Sequence, residues 1–341
     1  MILTDAQIKD LVTGTLKHLG RLKFQQIAQS LPRYEVMGRL MRRDRVTFQS
    51  GNGIQRTVMV THSGAAKHVG LYQKDEVNVG DVLETLSIPW RHTTTNYAFE
   101  RRELTMNSGA SKIVDLLKVR RTDAMLSLTE LMESTFWSKP ENSADKITPY
   151  GIQYWLVSNA SEGFNGGDPS GFADGAGGLQ HANWKNWTAQ YADVSKADLI
   201  QKMRKAYRHI RFESPVDVPD FRRGCGDQYR IYVPETVLEE FENIGEGQNE
   251  NLGRDLQPYD ENITFRRNPI RWVPELDNAA DAPVYMVNFA YFYPVFLRGE
   301  YLRETEPEKV SDQHSVFAVH VDLTWNVLCT DRRRNAVLAT A

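Results

Sequence analysis

Segment 283–296 departs from the alternation of apolar and polar residues that marks a strand with one face in water. Its sequence, PVYMVNFAYFYPVF, is apolar or aromatic almost throughout. An uninterrupted run of this kind predicts a strand that is buried on both faces. The preceding run Ile270–Leu276 predicts a second strand, and a short polar turn containing Asn278 and Asp281 joins the two.

The strongest helical pattern of the chain lies in residues 108–137. Its apolar stripe follows the period of one helix face and consists of Ile113, Leu116, Leu117, Ala124, Leu128, Leu131, Met132 and Phe136. At the rise of an α-helix, the segment predicts a rod roughly 40 Å long. Four large side chains are predicted to anchor the core, namely Leu117 and Leu128 of this helix and Phe289 and Tyr291 of segment 283–296.

Further helices and strands follow from the same patterns. An amphipathic helix is predicted in residues 4–31 and ends at Pro32. A capped helix is predicted at Ser195–Arg211, and another begins at Pro234 and ends at Gly245. Extended segments are predicted at Tyr229–Val233, Ser315–Cys329 and Asn335–Ala339. Because helices and strands do not alternate as βαβ units, the predicted fold class is α+β.

Residues 51–106 predict a long antiparallel ribbon. Ile54–Thr61 alternates as a strand, and Val77–Leu86 and Ser87–Met106 are rich in residues with high strand propensity. Fully extended, Trp90–Leu104 would reach roughly 50 Å. A two-stranded ribbon is only marginally stable alone in water. We therefore expect another copy of the same chain to cover it.

Composition and charge are those of an ordinary folded chain. Of its 341 residues, 41% are hydrophobic and 25% are charged, and the formal net charge is −3. These values exclude the strong global basic field of a dedicated nucleic-acid-binding protein. Cys225 and Cys329 form neither a metal-binding spacing nor a disulfide framework. Segment 283–296 is shorter than the ~20 apolar residues of a membrane span, so we expect a soluble, unsecreted protein.

No combination of residues predicts catalysis, a metal site or a cofactor site. The glycine-rich segment 161–178 lacks the ending of a phosphate-binding loop, and we expect it to be a flexible surface loop. The eight histidines form no zinc-binding motif. His320 and Asp322 share one face of a predicted strand, where a packed or solvated pair is expected rather than a catalytic one. One candidate ligand-binding patch remains, formed by Trp184, Trp187 and Tyr191.

Charged residues cluster in two ways. Arginine doublets occur at Arg42/Arg43, Arg101/Arg102, Arg120/Arg121, Arg222/Arg223, Arg266/Arg267 and Arg332–Arg334. The doublet at 101–102 lies on the predicted ribbon, where it could pair with carboxylates of a neighbouring subunit or remain a solvated surface charge. A solvated acidic helix face is predicted from Glu235, Glu239, Glu240 and Glu242.

Four stretches, taken in order, resemble one known family. They are RRELTMNSGASKIVDLLKVRRTDAM, YRIYVPETVLEEFENI followed by NLGRDL, the paired strands of NPIRWVPELD and APVYMVNFAYFYPVFLRG, and the ending TDRRRNAVLAT. In this order the chain resembles the major capsid protein of tailed double-stranded DNA bacteriophages, whose fold encapsulins share. The resemblance covers nearly the whole chain and rests on the order and local style of the segments.

The resemblance implies a place for each segment in that fold. Residues 1–49 would form the N-terminal arm, 50–107 the E-loop hairpin and 108–148 the spine helix of the peripheral domain. Residues 149–282 would form the axial domain, 283–322 the peripheral strands and 323–341 the return to the axial domain. The strand 283–296 would be covered by the spine helix on one face and by the adjoining sheet and subunit contacts on the other.

The implied function is self-assembly into an icosahedral shell around phage double-stranded DNA, without catalysis or a cofactor. Its implied partners are further copies in hexamers and pentamers, a separate scaffolding protein, decoration and portal proteins, and packaged DNA bound without sequence specificity, with no membrane involved. The implied location is the virion capsid, assembled in the host cytoplasm. Two alternatives remain, an encapsulin-like compartment shell and a soluble enzyme or ligand-binding protein that uses the aromatic patch.

Candidate inter-subunit residues of the E-loop are Lys67, Lys74, Trp90, Arg91, Arg101 and Arg102. The best-known relative in the family joins its subunits through a lysine–asparagine isopeptide bond, and Lys67 and Lys74 lie near the presumed tip of the E-loop. No acceptor asparagine and no assisting glutamate is identified for either lysine. We therefore expect no covalent cross-link.

Overall fold

The computed structural model describes residues 34–41, 46–64, 66–71, 81–106, 110–211, 228–246, 263–311 and 313–341. The amphipathic helix predicted in residues 4–31 lies outside this set, as do Lys74 and Cys225. The described part contains helices, two large sheets and a separate two-stranded ribbon. The α+β class predicted from the sequence is confirmed.

The helices of the described part are α1 (Met37–Leu40), α2 (Arg101–Met106), α3 (Ala110–Phe136), α4 (Ile152–Trp155), α5 (Leu199–Ile210) and α6 (Glu235–Glu246). The strands are β1 (Thr47–Gln49), β2 (Ile54–Met59), β3 (Leu83–Ile88), β4 (Arg91–Glu100), β5 (Trp187–Tyr191), β6 (Tyr229–Val233), β7 (Thr264–Phe265), β8 (Asn268–Trp272), β9 (Val284–Asn288), β10 (Phe292–Leu297), β11 (Arg303–Glu304), β12 (Glu308–Lys309), β13 (Val316–Cys329) and β14 (Ala336–Thr340). Short 3-10 turns occur at Ala182–Trp184, Pro274–Leu276 and Arg332–Arg334.

Strand β13 organises the first sheet. It pairs antiparallel with β4 along its first ten residues and with β10 along its last five. Strands β11 and β12 also pair with β13, and β1 adds a parallel edge strand to β10. The second sheet has the strand order β5-β14-β9-β6-β8-β7.

The long helix α3 confirms the helix predicted at 108–137 and packs against β4 of the first sheet. Its buried line is made of Leu117, Ala124, Leu128, Met132 and Phe136, each at most 5% exposed. Leu131, which was assigned to the same stripe, is half exposed. The reason is that residues spaced by four define the line that faces the sheet, and Leu131 lies to one side of it.

Segment 283–296 forms two strands in different sheets, which corrects the prediction of one strand. β9 ends at Asn288, and a turn follows in which the Tyr291 amide donates to the Asn288 carbonyl oxygen at 3.2 Å. β10 then joins the first sheet. All five residues of β9 are buried, as the sequence predicted. Of the two aromatic residues in the turn, Phe289 is buried and Tyr291 is half-buried.

The two faces of β9 are covered by different helices of the same chain. Tyr285 and Val287 belong to the large core cluster, where the ring of Trp137, one residue beyond α3, lies 6.1 Å from that of Tyr285. Val284 and Met286 point into a second cluster that includes the buried stripe of α5. The expected cover by the long helix is thus found on one face. The other face is filled by α5 rather than by another subunit.

Two segment boundaries differ from those that the resemblance implies. β9 was assigned to the peripheral strands of 283–322, but it pairs with β6 and β14 in the second sheet. β13 was divided after residue 322, but it continues in the first sheet to Cys329, because its last residues pair with β10. The chain returns to the second sheet only through the Arg332–Arg334 turn and β14.

Helices α5 and α6 confirm the two shorter helices predicted from the sequence. The stripe of α5, Leu199, Met203, Tyr207 and Ile210, is buried throughout. Its start lies at Leu199 instead of Ser195, whose hydroxyl accepts a hydrogen bond from the Asp198 amide at 3.1 Å. In α6, Val237 and Phe241 enter the same cluster.

The extended segment predicted at Ser87–Met106 is shorter and belongs to the fold's own sheet. β4 pairs with β13 over its full length of ten residues, and the chain then turns into α2 at Arg101. The ribbon that lies outside the two large sheets is therefore limited to β2 and β3 in the described part of the chain. It is shorter than the sequence suggested because β13 offers β4 a complete row of backbone partners.

Candidate assembly surfaces

The ribbon of β2 and β3 has a buried base and an uncovered outer end. Six residue pairs join the strands, from Ile54 opposite Ile88 to Met59 opposite Leu83. Ile54, Leu86 and Ile88 at the base are fully buried. At the outer end, by contrast, Met59 is 51% and Leu83 is 54% exposed. Val69 and Leu71, in the connection beyond the ribbon, are even more exposed, Leu71 at 93%.

One end of the glycine-rich segment 161–178 supports the ribbon's base, a contact that the prediction of a surface loop did not include, while many of its other residues are exposed. The Gly177 carbonyl oxygen accepts a hydrogen bond from the Ser87 amide, and the Gly177 amide donates to the Tyr154 hydroxyl, both at 2.9 Å. Gly177 has a φ of +73°, and a Cβ there would lie 3.1 Å from atoms of Leu86 and Trp155. Glycine is therefore required at this close approach.

A groove of about 500 Å³ separates the β2 side of the ribbon from the Arg332–Arg334 turn. Its walls include Val58, Met59 and Trp184, together with the side chains of Arg333 and Arg334. The Arg333 guanidinium also lies over the Phe164 ring, 4.4 Å from its centroid. The groove thus combines apolar walls with positive charge and is continuous with the uncovered end of the ribbon.

Buried Glu133 of α3 anchors the residues that follow the predicted N-terminal helix. Its carboxylate accepts hydrogen bonds from the amides of Val36 and Met37 at 3.1 and 2.8 Å. The Trp137 indole donates to the same carboxylate at 3.3 Å. Val36 and Leu40 are fully buried beside it. Segment 34–41 is therefore fixed to the long helix by backbone hydrogen bonds as well as by apolar packing.

The variant E133Q is expected to weaken this anchor by about 1–3 kcal/mol near neutral pH, because an amide offers one acceptor where the carboxylate offers two. Burial raises the pKa of Glu133 above its ordinary value of 4.5, although the hydrogen bonds to Met37 and Val36 oppose the shift. Between the two pKa values the folded chain binds a proton that the unfolded chain has lost. The free energy of unfolding should consequently fall as pH rises through that interval.

Chemical denaturation at several pH values tests both parts of this prediction. The difference between wild type and E133Q should change through the interval above pH 4.5. E130Q is the matched control, since the Glu130 carboxylate accepts a hydrogen bond from the partly buried Tyr34 hydroxyl at 3.0 Å and not from the backbone amides of Val36 and Met37, which donate to Glu133. Equal stability of wild type and E133Q at every pH would show that the carboxylate does not anchor the segment.

Arg91 does not lie on an exposed ribbon, as the sequence suggested, but is 5% exposed inside its own chain. Its guanidinium donates to the carbonyl oxygens of Asp145 and Thr148 at 2.7 and 3.1 Å. It also lies over the Tyr150 ring, 5.6 Å from the centroid. All of these partners follow α3 in the sequence. Arg91 thus ties β4 to the segment that leaves the long helix.

The other predicted E-loop residues occupy several places. Arg101 and Arg102 open α2 rather than the ribbon, and Arg102 lies 3.5 Å from the Glu100 carboxylate at an exposed position. The Trp90 indole donates to the Gly51 carbonyl oxygen at 2.8 Å, within the same chain. Lys67 is exposed in the connection beyond the ribbon. An inter-subunit role for these residues stays a prediction.

The aromatic patch predicted from Trp184, Trp187 and Tyr191 is not a surface. All three side chains are at most 5% exposed, and they are divided between two core clusters. Trp187 stacks on His209 with ring centroids 4.5 Å apart. Trp187 and Tyr191 are buried because β5 is a strand of the second sheet covered by α5, whereas Trp184 packs into the large core cluster and its indole donates to the Ala176 carbonyl oxygen at 3.0 Å. The ligand-binding alternative loses the site on which it depended.

His320 and Asp322 do not form a pair with each other. The Asp322 carboxylate lies 3.2 Å from Arg303 and 3.6 Å from His92, while the His320 side chain is exposed. Burial opposes ionisation of Asp322, but hydrogen bonds from Thr94 and Arg303 outweigh it and lower its pKa. Asp322 is therefore part of a surface charge network with Arg303 and His92 on the first sheet, and His320 is not.

The described residues contain no group of three or more histidine, cysteine, aspartate or glutamate side chains arranged to hold a metal ion. Among the same residues, no helix has the length and apolar character needed to cross a bilayer. Neither result places a functional site in this part of the chain.

Sequence reasoning missed the residues that define the uncovered surface. Met59 and Leu83 were assigned to strands, but their exposure depends on how far the supporting loop reaches along the ribbon. The only available signal was that Met59 stands opposite an apolar partner once the two strands are paired. Glu133 was likewise missed, because the sequence of α3 contains no signal that one of its glutamates binds the backbone amides of segment 34–41.

Comparison with solved structures assigns the fold. The capsid of a native GTA particle superposes with a TM-score of 0.58 at 12% identity, covering 94% of this chain and 96% of that chain. The capsid of cyanophage A-1(L) gives 0.56 at 13% identity, covering 93% and 95%. The capsid of Myoviridae phage XM1 gives 0.53 at 9% identity, covering 95% and 98%. The chain therefore has the phage major capsid protein fold.

Comparisons at the level of sequence add nothing to this assignment. No protein-family model matches the chain, and no curated protein matches it either. The likeness consequently rests on the arrangement of the two sheets, the long helix and the ribbon over nearly the full length of both partners.

Proposed function

We propose that this protein is a structural capsid protein that self-assembles into a closed icosahedral shell around double-stranded DNA. The observation that carries the proposal is the outer end of the ribbon, where Met59 and Leu83 form an apolar pair that the described residues leave about half exposed. Fold likeness to three capsid structures supports the same conclusion. A second copy of the chain would bury this apolar surface without requiring a different partner protein.

The energetics favour many small contacts repeated through a shell. Burying a large apolar side chain contributes about 1.5–3 kcal/mol, so one ribbon end alone gives a weak interface. Each copy in a closed assembly both offers its ribbon and receives another, and the contacts reinforce one another by multivalency. The anchored segment at Glu133 and the groove beside the Arg332–Arg334 turn offer further contact surfaces.

The remaining parts of the proposal concern partners and location. Hexamers and pentamers of this chain would form the shell, guided by a separate scaffolding protein and joined by portal and decoration proteins. Packaged DNA would contact the inner surface without being read. The protein would reside in the virion capsid after assembly in the host cytoplasm. The buried aromatic residues and the fold favour this role over catalysis.

Sedimentation velocity of the full-length protein, with and without candidate scaffolding proteins, tests the proposal. We expect species far larger than a monomer, and their fraction should rise with protein concentration. A monomer that persists at every concentration and with every scaffold would contradict shell formation. An assembled particle that encloses a cargo enzyme instead of DNA would favour the encapsulin-like alternative.

A further inference from the structure

Four exposed arginines form a basic patch beside the second sheet. Arg204 and Arg208 lie one turn apart on α5. Arg266 and Arg267 form the two-residue tip of the β7–β8 hairpin. The hairpin reaches the helix at Tyr207, where the Arg266 guanidinium lies over the ring, 5.4 Å from its centroid. Because Tyr207 stands between the two helix arginines in the sequence, the two pairs are adjacent.

The arginines of this patch have no carboxylate partner among the described residues. The lysines of the same helix do have partners, in the pairs Lys202–Asp198 at 2.5 Å and Lys205–Glu162 at 2.9 Å. Helix α5 itself contains no acidic residue. Attraction to the C-terminal end of the helix dipole accounts for a basic side chain in the last turn, such as Arg208. It does not account for Arg204 or for the hairpin tip.

The hairpin tip holds its arginines in a backbone conformation that is unusual for this residue. Arg266 has a φ of +50° and Arg267 a φ of +68°. Positive φ at both central residues is the pattern of a type I′ turn, in which asparagine and glycine are preferred. The tip therefore places two positive charges where smaller, uncharged residues would fit the backbone better.

The composition of the patch fits a phosphate backbone better than a protein surface. Protein–protein interfaces are built around an apolar centre. Among the described residues, none of the large apolar side chains that stand exposed lies on α5 or on the β7–β8 hairpin. Interfaces with DNA are more polar and strongly positive. The guanidinium fork also matches the oxygens of a phosphate group, and its charge does not depend on pH.

We propose that the patch of Arg204, Arg208, Arg266 and Arg267 binds the phosphate backbone of double-stranded DNA. This inference rests on the proposed shell function, which supplies the DNA, and it assigns the surface that makes the contact. Phosphate contacts carry no base information, so binding is independent of sequence. The net charge of −3 does not prevent it, because charges act over only about 10 Å at 0.1 M salt.

Fluorescence anisotropy of the full-length protein with a labelled DNA duplex, at several salt concentrations, tests the proposal. R204Q/R208Q should weaken binding by about tenfold or more near 0.1 M salt and lower the slope of log K against log salt by about 2, since two phosphate contacts are lost. R266N/R267N should have the same effect and keep the wild-type melting temperature or raise it, because asparagine suits the turn. Duplexes of unrelated sequence should bind alike.

The matched control is K202Q/K205Q, which removes two positive charges from the same helix at positions that are already paired. It should leave the salt slope near that of wild type. An effect equal to that of R204Q/R208Q would overturn the patch, because overall charge would then decide binding. Wild-type affinity and slope in both arginine variants would also overturn it.

Measuring assembly of the same proteins by light scattering separates this inference from the proposed function. Loss of DNA binding with assembly at the wild-type concentration supports the patch. Arginine variants that bind DNA like wild type but assemble only at higher concentration would assign the patch to a contact between copies instead. A wild type that assembles without binding the duplex would overturn the patch alone. A wild type that binds the duplex but never assembles would overturn the shell and leave a DNA-binding surface.

Discussion

The double variant M59E/L83E is expected to remain folded and to lose shell assembly. Met59 and Leu83 are cross-strand partners, and each is about half exposed at the outer end of the ribbon. In a contact with another copy, the two new carboxylates would lose water without gaining partners, which costs several kcal/mol. The penalty recurs at every copy, so we expect no closed particles at concentrations where wild type forms them.

Folding of the same variant should be nearly unchanged, since the base of the ribbon carries its packing. Ile54, Leu86 and Ile88 stay buried beneath the glycine-rich segment whatever occupies the outer end. M59L/L83M is the matched control, because it keeps the apolar character and should assemble like wild type. Light scattering against protein concentration compares the three proteins. Assembly of M59E/L83E at the wild-type concentration would show that another surface drives the process.

Replacing Trp325 by alanine is expected to reduce the free energy of unfolding by about 3–5 kcal/mol, the cost of removing a large buried aromatic side chain. Trp325 is 1% exposed, and its ring meets that of Phe136 edge-on at 5.3 Å and stacks on Phe296 at 6.3 Å. Its indole donates to the Thr93 hydroxyl at 3.0 Å. One side chain therefore joins α3, β10 and β4.

The control for Trp325 lies at the other end of the same aromatic row. Tyr301 packs edge-on against Phe296 at 4.8 Å but is 37% exposed. Y301A should cost about 1 kcal/mol, within the range of partly exposed substitutions. Chemical denaturation followed by circular dichroism measures both variants. Equal losses for W325A and Y301A would mean that this row does not connect the long helix to the first sheet.

Periodic features could be predicted from the sequence alone. α3, α5 and α6 were found because their apolar stripes recur at helical spacing and face a single surface. The complete burial of β9 was also predicted, since five consecutive apolar or amide side chains leave no face for water. In each case the deciding information lies within a few turns or residues of the chain.

Features decided by distant partners could not be predicted. Segment 283–296 passes from the second sheet to the first after Asn288. Its first half pairs with β14 and β6 and its second half with β13, and these partners are distant in the sequence. Arg91 is buried because carbonyl oxygens more than 50 positions away accept its hydrogen bonds. The glycine-rich segment is joined to the ribbon by the hydrogen bond from the Ser87 amide to the Gly177 carbonyl oxygen. A local pattern carries no information about such pairings.

The candidate surface shows the same division. Strand propensity predicted that the ribbon needs a partner to bury it. It did not predict which ribbon residues are exposed, because that depends on how far the contact with Gly177 extends along the ribbon.

Cryo-electron microscopy of the full-length protein under assembling conditions, with and without scaffold, tests the central claim most directly. The account predicts closed icosahedral particles in which the Met59–Leu83 end of every ribbon lies against a neighbouring copy. Particles in which these ribbon ends remain in solvent would contradict the role assigned to the ribbon. A field of monomers under every condition would contradict the shell itself.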